Sequence, residues 1–252
     1  MKHYNSAVKK SKKRKVKRKA KRKEERCVSK KIQAVIFDMD GVIFDSERLV
    51  IECWQTIADR HNIPDIVEIC MRVQGNNREE TGKRFLEKYG KDFPYDAYKK
   101  EVTALFRELY GGGRLPLKPG VREIMTALQE KQIPMAVASS TRTDIVRLEL
   151  EEANLLHFFE IVLGGDQVAR SKPEPDIFLA AADALQAEPA HCYVLEDSRN
   201  GITAAFRAGM HPIMVPDMQP PTDEIRKMTE TIVPDLFAAW EFLLSSLFAT
   251  SG

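Results

Sequence analysis

The sequence is short of paired cysteines, of long apolar runs and of any metal-binding histidine pattern. Its four cysteines, Cys27, Cys53, Cys70 and Cys192, are scattered, with no CxxC and no regular spacing. That excludes a disulfide scaffold and a zinc knuckle and fits a reducing compartment. No run of about eighteen apolar residues occurs, so no membrane-spanning helix is expected. The charged N-terminus has no apolar segment behind it before Val35, so it does not read as a secretory signal. The expected location is therefore the cytoplasm. His61, His157, His191 and His211 stand in no ligand spacing and read as structural or exposed. No internal repeat is visible.

Acidic residues are scarce at one end only. Residues 1–31 carry 16 Lys/Arg against Glu24 and Glu25, so of 39 basic and 37 acidic residues the rest of the chain keeps 23 and 35. A net charge of +2 thus hides an acidic body with a basic tail. Like charges as dense as KKSKKRKVKRKAKRK repel and prevent packing, so residues 1–31 are expected to be a solvated, disordered extension. The alternative is contact between residues 9–23 and nucleic acid, or a nuclear address. Against it, no aromatic residues interleave with the charges and nothing else reads as a nucleic-acid module.

Beyond the tail, short apolar runs alternate with helical patterns. AVIF (Ala34–Phe37), PMAVAS, IVLGG, CYVLED and PIMVP read as strands, and their unbroken apolar character implies burial on both faces of a parallel sheet. VREIMTALQEK carries Val121, Ile124, Met125 and Leu128 at helical spacing. TRTDIVRLELEEANL begins with hydroxyl caps and places Ile145, Leu148 and Glu152 along successive turns. PDIFLAAADALQ starts on Pro175, suited to a first helical position, and SRNGITAAFRAG ends on Gly209, a left-handed terminator. Strand–helix alternation of this kind predicts an α/β fold, a Rossmann-like doubly wound sheet.

Between about Ser46 and Lys118 the alternation stops. Three amphipathic helical patterns, punctuated by Gly90, Pro94 and Gly111–Gly113, occupy the gap. This predicts an inserted α-helical cap domain over residues 47–114, with residues 32–46 and 115–252 forming the core domain. FDSE and GGGRLPLKPG would be the two hinges.

Ligands of an open parallel sheet bind beyond the carboxyl ends of its strands. There the first strand delivers Asp38 and Asp40, the second Ser139, the third leads to Lys172, and CYVL ends on Glu196 and Asp197. A buried apolar strand rarely stops on acids by accident, and here two strands do, with a lysine and a hydroxyl at the others. A carboxylate can attack phosphorus and split one hard displacement into two, which makes Asp38 the expected nucleophile. Asp40, two residues on, can protonate the leaving oxygen and then activate water.

DMDGV, the serine of AVASS, the lysine of SKPEPD and LEDSRNG together resemble the four motifs of the haloacid dehalogenase superfamily, over about Ile32 to Val215. FDSE, SKPEPDIF and LEDSRNGITAA are most similar to the subfamily that contains β-phosphoglucomutase and many small phosphatases. The resemblance implies Mg²⁺ held by Asp38, Asp197 and the Asp40 backbone carbonyl, with Glu196 joining them or orienting Asp197. It further implies that Lys172 and Ser139 stabilise phosphoryl charge, with Ser140 completing the cradle. Asp45 and Ser46 read as hinge residues. In the cap, Asn76, Asn77 and Arg78 of GNNREE are the expected substrate contacts.

The family's mutase places a histidine ten residues beyond the acid–base aspartate. Here that position is Val50, and His61 lies about three turns further along the helix. The expected function is therefore a Mg²⁺-dependent phosphatase acting on a small phosphorylated metabolite, a sugar phosphate above all, through an aspartyl-phosphate. Its expected state is a monomer. A hexose-phosphate mutase is the alternative within the fold. A non-catalytic binding protein with a nucleic-acid-binding tail is the alternative outside it.

Overall fold

The computed structural model describes residues 32–76 and 78–248 of the chain. The basic segment 1–31, with every reading placed on it, lies outside the described residues. Ile32–Phe242 form one compact unit, and the contacts given below lie within it. Met1–Lys31 and Leu243–Gly252 are grouped separately, and of these only Leu243–Phe248 are described.

The first strand, β1 (Ala34–Phe37), is apolar throughout with Val35 and Ile36 at its centre, and all four residues are fully buried. β2 (Met135–Ala138), β3 (Ile161–Leu163), β4 (Cys192–Glu196) and β5 (His211–Met214) follow the apolar runs of the sequence. The sheet also contains β6 (Thr231–Ile232), two half-buried residues too short to leave a sequence signal. Its order is β3-β2-β1-β4-β5-β6, with every neighbouring pair parallel. Val35 lies opposite Met135 on one side and Tyr193 on the other. The chain winds outward in both directions from β1, so a crevice opens at the carboxyl ends of β1 and β4.

Helices α5 (Val121–Glu130), α6 (Thr143–Glu152), α7 (Asp176–Ala184), α8 (Arg199–Arg207), α9 (Asp223–Met228) and α10 (Leu236–Phe248) accompany the sheet. Alternate strand residues Ala34, Ile36, Ala136 and Val194 share a buried cluster with Ile177 and Phe178 of α7 and Ala204 and Ala205 of α8. On the intervening positions Phe37 meets Phe159 edge-on, with ring centroids 5.8 Å apart. Each fully buried Ile or Phe of this kind stabilises the fold by roughly 1.5–3 kcal/mol.

Three local expectations are corrected. No side-chain cap opens α6: Thr143 donates instead to Asp166 at 2.7 Å and accepts from the Gly164 amide at 3.1 Å. Its buried face is Val146 and Leu150, leaving Leu148 exposed and Ile145 half-buried. Pro175 sits at the capping position of α7, one residue before the helix proper. Gly209, by contrast, has φ +73° just beyond α8, the left-handed terminator expected of it.

Between β1 and α5 run α1 (Ser46–His61), α2 (Ile66–Arg72), α3 (Arg78–Tyr89) and α4 (Tyr95–Tyr110). These helices form the cap region around their own apolar centre, which includes Trp54, Ile57, Ile66, Phe85 and Val102. Trp54 and Tyr95 flank Phe85, with centroids 4.8 and 4.9 Å from it. No helix among the described residues is long and apolar enough to cross a membrane.

Candidate active site

The sheet brings Asp38, Lys172, Glu196 and Asp197 together at its centre. Asp38 follows β1 directly, and its amide donates to the Leu195 carbonyl of β4 at 2.9 Å, which fixes the two strand tips side by side. Lys172 Nζ donates to Asp38 Oδ1 at 2.5 Å, to Glu196 Oε1 at 2.8 Å and to the Ala138 carbonyl at 3.0 Å. All three ammonium hydrogens are thereby directed, and Phe178 lies beneath the charge, its centroid 4.9 Å away.

Glu196 is held on both oxygens. Oε2 accepts from the Ser198 amide at 2.6 Å and the Ser198 hydroxyl at 2.9 Å, while Oε1 accepts from Lys172. The first turn of α8 leaves room for this carboxylate only because residue 201 is glycine: a Cβ there would lie 1.6 Å from Glu196 Oε1. Gly41 plays the same part beside Asp197. Its φ is +81°, and a Cβ would lie 2.5 Å from Asp197 Oδ2.

Asp40 is surrounded by hydroxyl groups. Ser46 donates to Oδ1 at 2.7 Å, and Thr141 and Ser139 donate to Oδ2 at 3.0 and 3.4 Å. Ser139 also accepts from the Thr141 amide at 3.0 Å, so its hydroxyl is turned toward Asp40 and is fully buried. Ser46, expected only to shape a hinge, is a direct partner of the acid. Thr141 carried no signal of its own, because nothing in ASSTRT tells which hydroxyl will face β1.

Burial and mutual repulsion shape the electrostatics. Desolvation pushes the Asp38 carboxyl up to about 8, against the pull of Lys172 and with help from Glu196 and Asp40. Asp197 is raised for the same reasons, burial first and then Glu196 and Asp38. Burial works against the Lys172 charge, but Asp38 and Glu196 outweigh it and hold the ammonium above its ordinary range. Asp38, Glu196 and Asp197 each present a carboxylate oxygen within 4.8 Å of the others. Among the described residues Lys172, bonded to Asp38 and Glu196, is the one ammonium group paired with any of these three acids, so the cluster is short of positive charge. Oxygen donors so gathered suit a hard divalent cation.

A cavity of about 440 Å³ lies over this cluster, between cap and core. Asp38, Asp40, Ser140, Thr141, Lys172, Glu196 and Asp197 line its floor, and Val50 is on its wall. Asn76 lines it too, with its Oδ1 accepting from Asn200 of α8 at 3.0 Å. Asn200 also donates to the Gly75 carbonyl at 3.1 Å, tying the cap loop to the core. Asn77 and the side chain of Arg78 lie outside the described residues; Arg78 opens α3.

Two further carboxyls face the cavity. Burial and then Asp40 raise Glu47 to about 7. Burial raises Glu149 from 4.5 to about 8, with Asp40 and Glu152 adding to the effect and Arg107 opposing it. A carboxyl whose folded pKa exceeds its unfolded value contributes its stability below the unfolded pKa and loses it as pH rises through the folded one. Ionising Glu149 therefore costs stability between about pH 4.5 and 8. In metal-free buffer Glu149→Gln should melt with wild type near pH 5 and above it near pH 9. Equal melting temperatures across that range would show that Glu149 titrates normally.

Comparison with known proteins agrees with this geometry. The family model described as haloacid dehalogenase-like hydrolase matches residues 35–215. A phosphorylated carbohydrates phosphatase of Thermotoga maritima is 33% identical over 186 residues, covering 72% of this chain and 84% of that protein. A β-phosphoglucomutase of Bacillus subtilis is 31% identical over 219 residues, covering 83% and 96%. The solved structure of a proposed β-phosphoglucomutase from Thermotoga maritima is 29% identical, with a TM-score of 0.68 over 84% of this chain and 99% of that one. The chain belongs to the haloacid dehalogenase-like hydrolase family, within its β-phosphoglucomutase-like subfamily of phosphatases.

Proposed function

We propose that this protein is a Mg²⁺-dependent phosphatase that transfers the phosphoryl group of a small phosphomonoester to Asp38 and then to water. The observation that carries the reading is the pairing of two differently held aspartates on one cavity floor. Asp38 is buried and bonded to Lys172, whereas Asp40 faces three hydroxyl donors. The difference supports reading Asp38 as the nucleophile and Asp40 as the proton carrier. A phosphorylated sugar is the substrate class nearest to what the Thermotoga relative's name states.

Asp38 and Asp197 would hold the ion, with the Asp40 carbonyl, and Glu196 would join or orient them. When bound, it would offset the repulsion between an attacking carboxylate and a phosphate dianion. In the first step an Asp38 oxygen forms a bond to phosphorus as the ester P–O bond breaks, and Asp40 gives its proton to the departing alkoxide. In the second, Asp40 takes a proton from water, the hydroxide adds to phosphorus, and the Asp38 acyl-phosphate bond breaks to give inorganic phosphate. Lys172 stays on Asp38 throughout and stabilises the charge that passes through its oxygens.

Val50 favours hydrolysis over isomerisation. It lines the cavity where a mutase would need a proton-sharing side chain, and it has none to offer. The test is phosphate release from a panel of phosphorylated metabolites. Release should require Mg²⁺, stop with chelator and return on readdition. No release from any ester, or an isomerised product in the presence of a bisphosphate activator, would overturn the proposal.

A further inference from the structure

One polar corner of the cavity is built by the cap and left one hydrogen-bond donor short. Glu47, in the first turn of α1, and Gln74, two residues beyond α2, both line the cavity. Gln74 Nε2 donates to Glu47 Oε2 at 3.5 Å and to the Met218 sulfur at 3.2 Å. The first contact is at the limit of hydrogen-bonding distance, and the second is to a weak acceptor. Gln74 Oε1 is buried and accepts from no donor among the described residues. Among those residues the long contact with Gln74 is also the one hydrogen bond that the Glu47 carboxyl makes.

A buried amide oxygen without a donor is costly, and folded proteins rarely leave one so. Thr103, on the same cavity, gives its hydroxyl proton to the Lys99 carbonyl at 2.8 Å. The Gln74 amide is itself loosely held. The last torsion of a glutamine is broad and roughly two-fold, and turning it gives up only a long contact and a thioether. Oε1 can thereby be offered to a donor that enters the cavity.

The place of this corner says which part of a substrate brings that donor. Ser46, the residue before Glu47, donates to Asp40 Oδ1 at 2.7 Å, and after burial Asp40 is the strongest influence on the Glu47 carboxyl. The pair is therefore a neighbour of the acid assigned to the leaving oxygen. Lys99 also lines the cavity and its charge reaches Glu47, which disfavours a second cation there and favours a neutral hydroxyl.

Resting on the phosphatase reading, we propose that Gln74 and Glu47 select a phosphomonoester whose alcohol carries a free hydroxyl close to the ester oxygen. That hydroxyl donates to Gln74 Oε1 and meets the Glu47 carboxyl. An alcohol lacking it fills the cavity and leaves Oε1 without a donor, the arrangement by which polar sites reject analogues.

The experiment compares kcat/KM within two pairs matched in carbon chain: glycerol 3-phosphate against n-propyl phosphate, and ribitol 5-phosphate against n-pentyl phosphate. In each pair the polyol ester should lead by about tenfold or more. The leaving alcohols differ slightly in basicity, but equally for wild type and variant, so a change in the ratio reports contacts. In Gln74→Met, similar in length but without the amide oxygen, the ratio should fall by about tenfold. Glu47→Met should lower it too, whereas Glu47→Gln, which still bonds a hydroxyl, should keep it within about threefold. Alkyl esters hydrolysed as well as their polyol partners would overturn the inference and leave the phosphatase reading standing. So would an unchanged ratio in folded Gln74→Met, or a preference for 2-aminoethyl phosphate over all four esters. If other phosphomonoesters release phosphate with Mg²⁺ and neither polyol ester does, the inference alone fails. If no ester does, the phosphatase reading fails and takes this inference with it.

Discussion

Asp38→Asn is expected to lower phosphate release at least about a thousandfold, to the limit of detection, while leaving the chain folded. The amide keeps the shape of the carboxyl and still accepts from Lys172, but its oxygen is too weak a nucleophile to open a phosphoester. The fold should not suffer. Burial already pushes the Asp38 carboxyl up to about 8, so the ionised group is not a source of stability in the metal-free chain. Thermal melting in metal-free buffer near neutral pH should therefore place the variant level with wild type or above it. Acid-quenched enzyme analysed by mass should show a phosphoryl adduct in wild type during turnover and none in the variant. A variant that turns over normally would remove Asp38 from the chemistry, and a phosphoryl adduct on another residue would move the nucleophile there.

The centre of the sheet was legible because burial and chemistry leave opposite marks on a strand. AVIF and CYVL are uniformly apolar, so the acids that end them stand out, and the parallel pairing of β1 with β4 brings them together. Val50 was legible only through the resemblance, by counting ten residues from Asp40 to the position where the family's mutase keeps a histidine. The groups that support the acids were not. Ser46, Thr141 and Ser198 are small hydroxyl residues in turns, where capping is the ordinary explanation, and only tertiary placement sends two of them to Asp40 and one to Glu196. Gly201 reads as a weak spot in a helix until the carboxylate packed on it is seen. Ile145 is the clearest divergence between pattern and placement. Its spacing in α6 suits a buried stripe, yet Val146 and Leu150 take that face and Ile145 is left to the cavity. A period of 3.6 residues says that one face is apolar without saying which of two adjacent apolar positions meets the sheet.

Asp40→Asn carries the second large effect, and the leaving group should decide how it is expressed. With an alkyl phosphate the departing alkoxide is strongly basic, and Asp40 is the residue placed to protonate it. The amide cannot, so the first step should slow by about 10²–10⁴-fold and no phosphoenzyme should accumulate. An aryl phosphate releases a far weaker base and needs little protonation, so Asp38 should still be phosphorylated at a useful rate. Water then needs a base that the variant lacks, and the acyl-phosphate should build up. The predicted signature is a burst of released phenolate followed by slow turnover, with stoichiometric phosphoenzyme after acid quench. The amide oxygen can accept from the hydroxyl on one side, and the amide nitrogen can donate to the hydroxyl oxygen on the other, so the side chain should keep its place and the comparison should report proton transfer. If the substitution raises KM for both esters and leaves kcat alone, Asp40 is a binding residue, and the acid–base assignment falls.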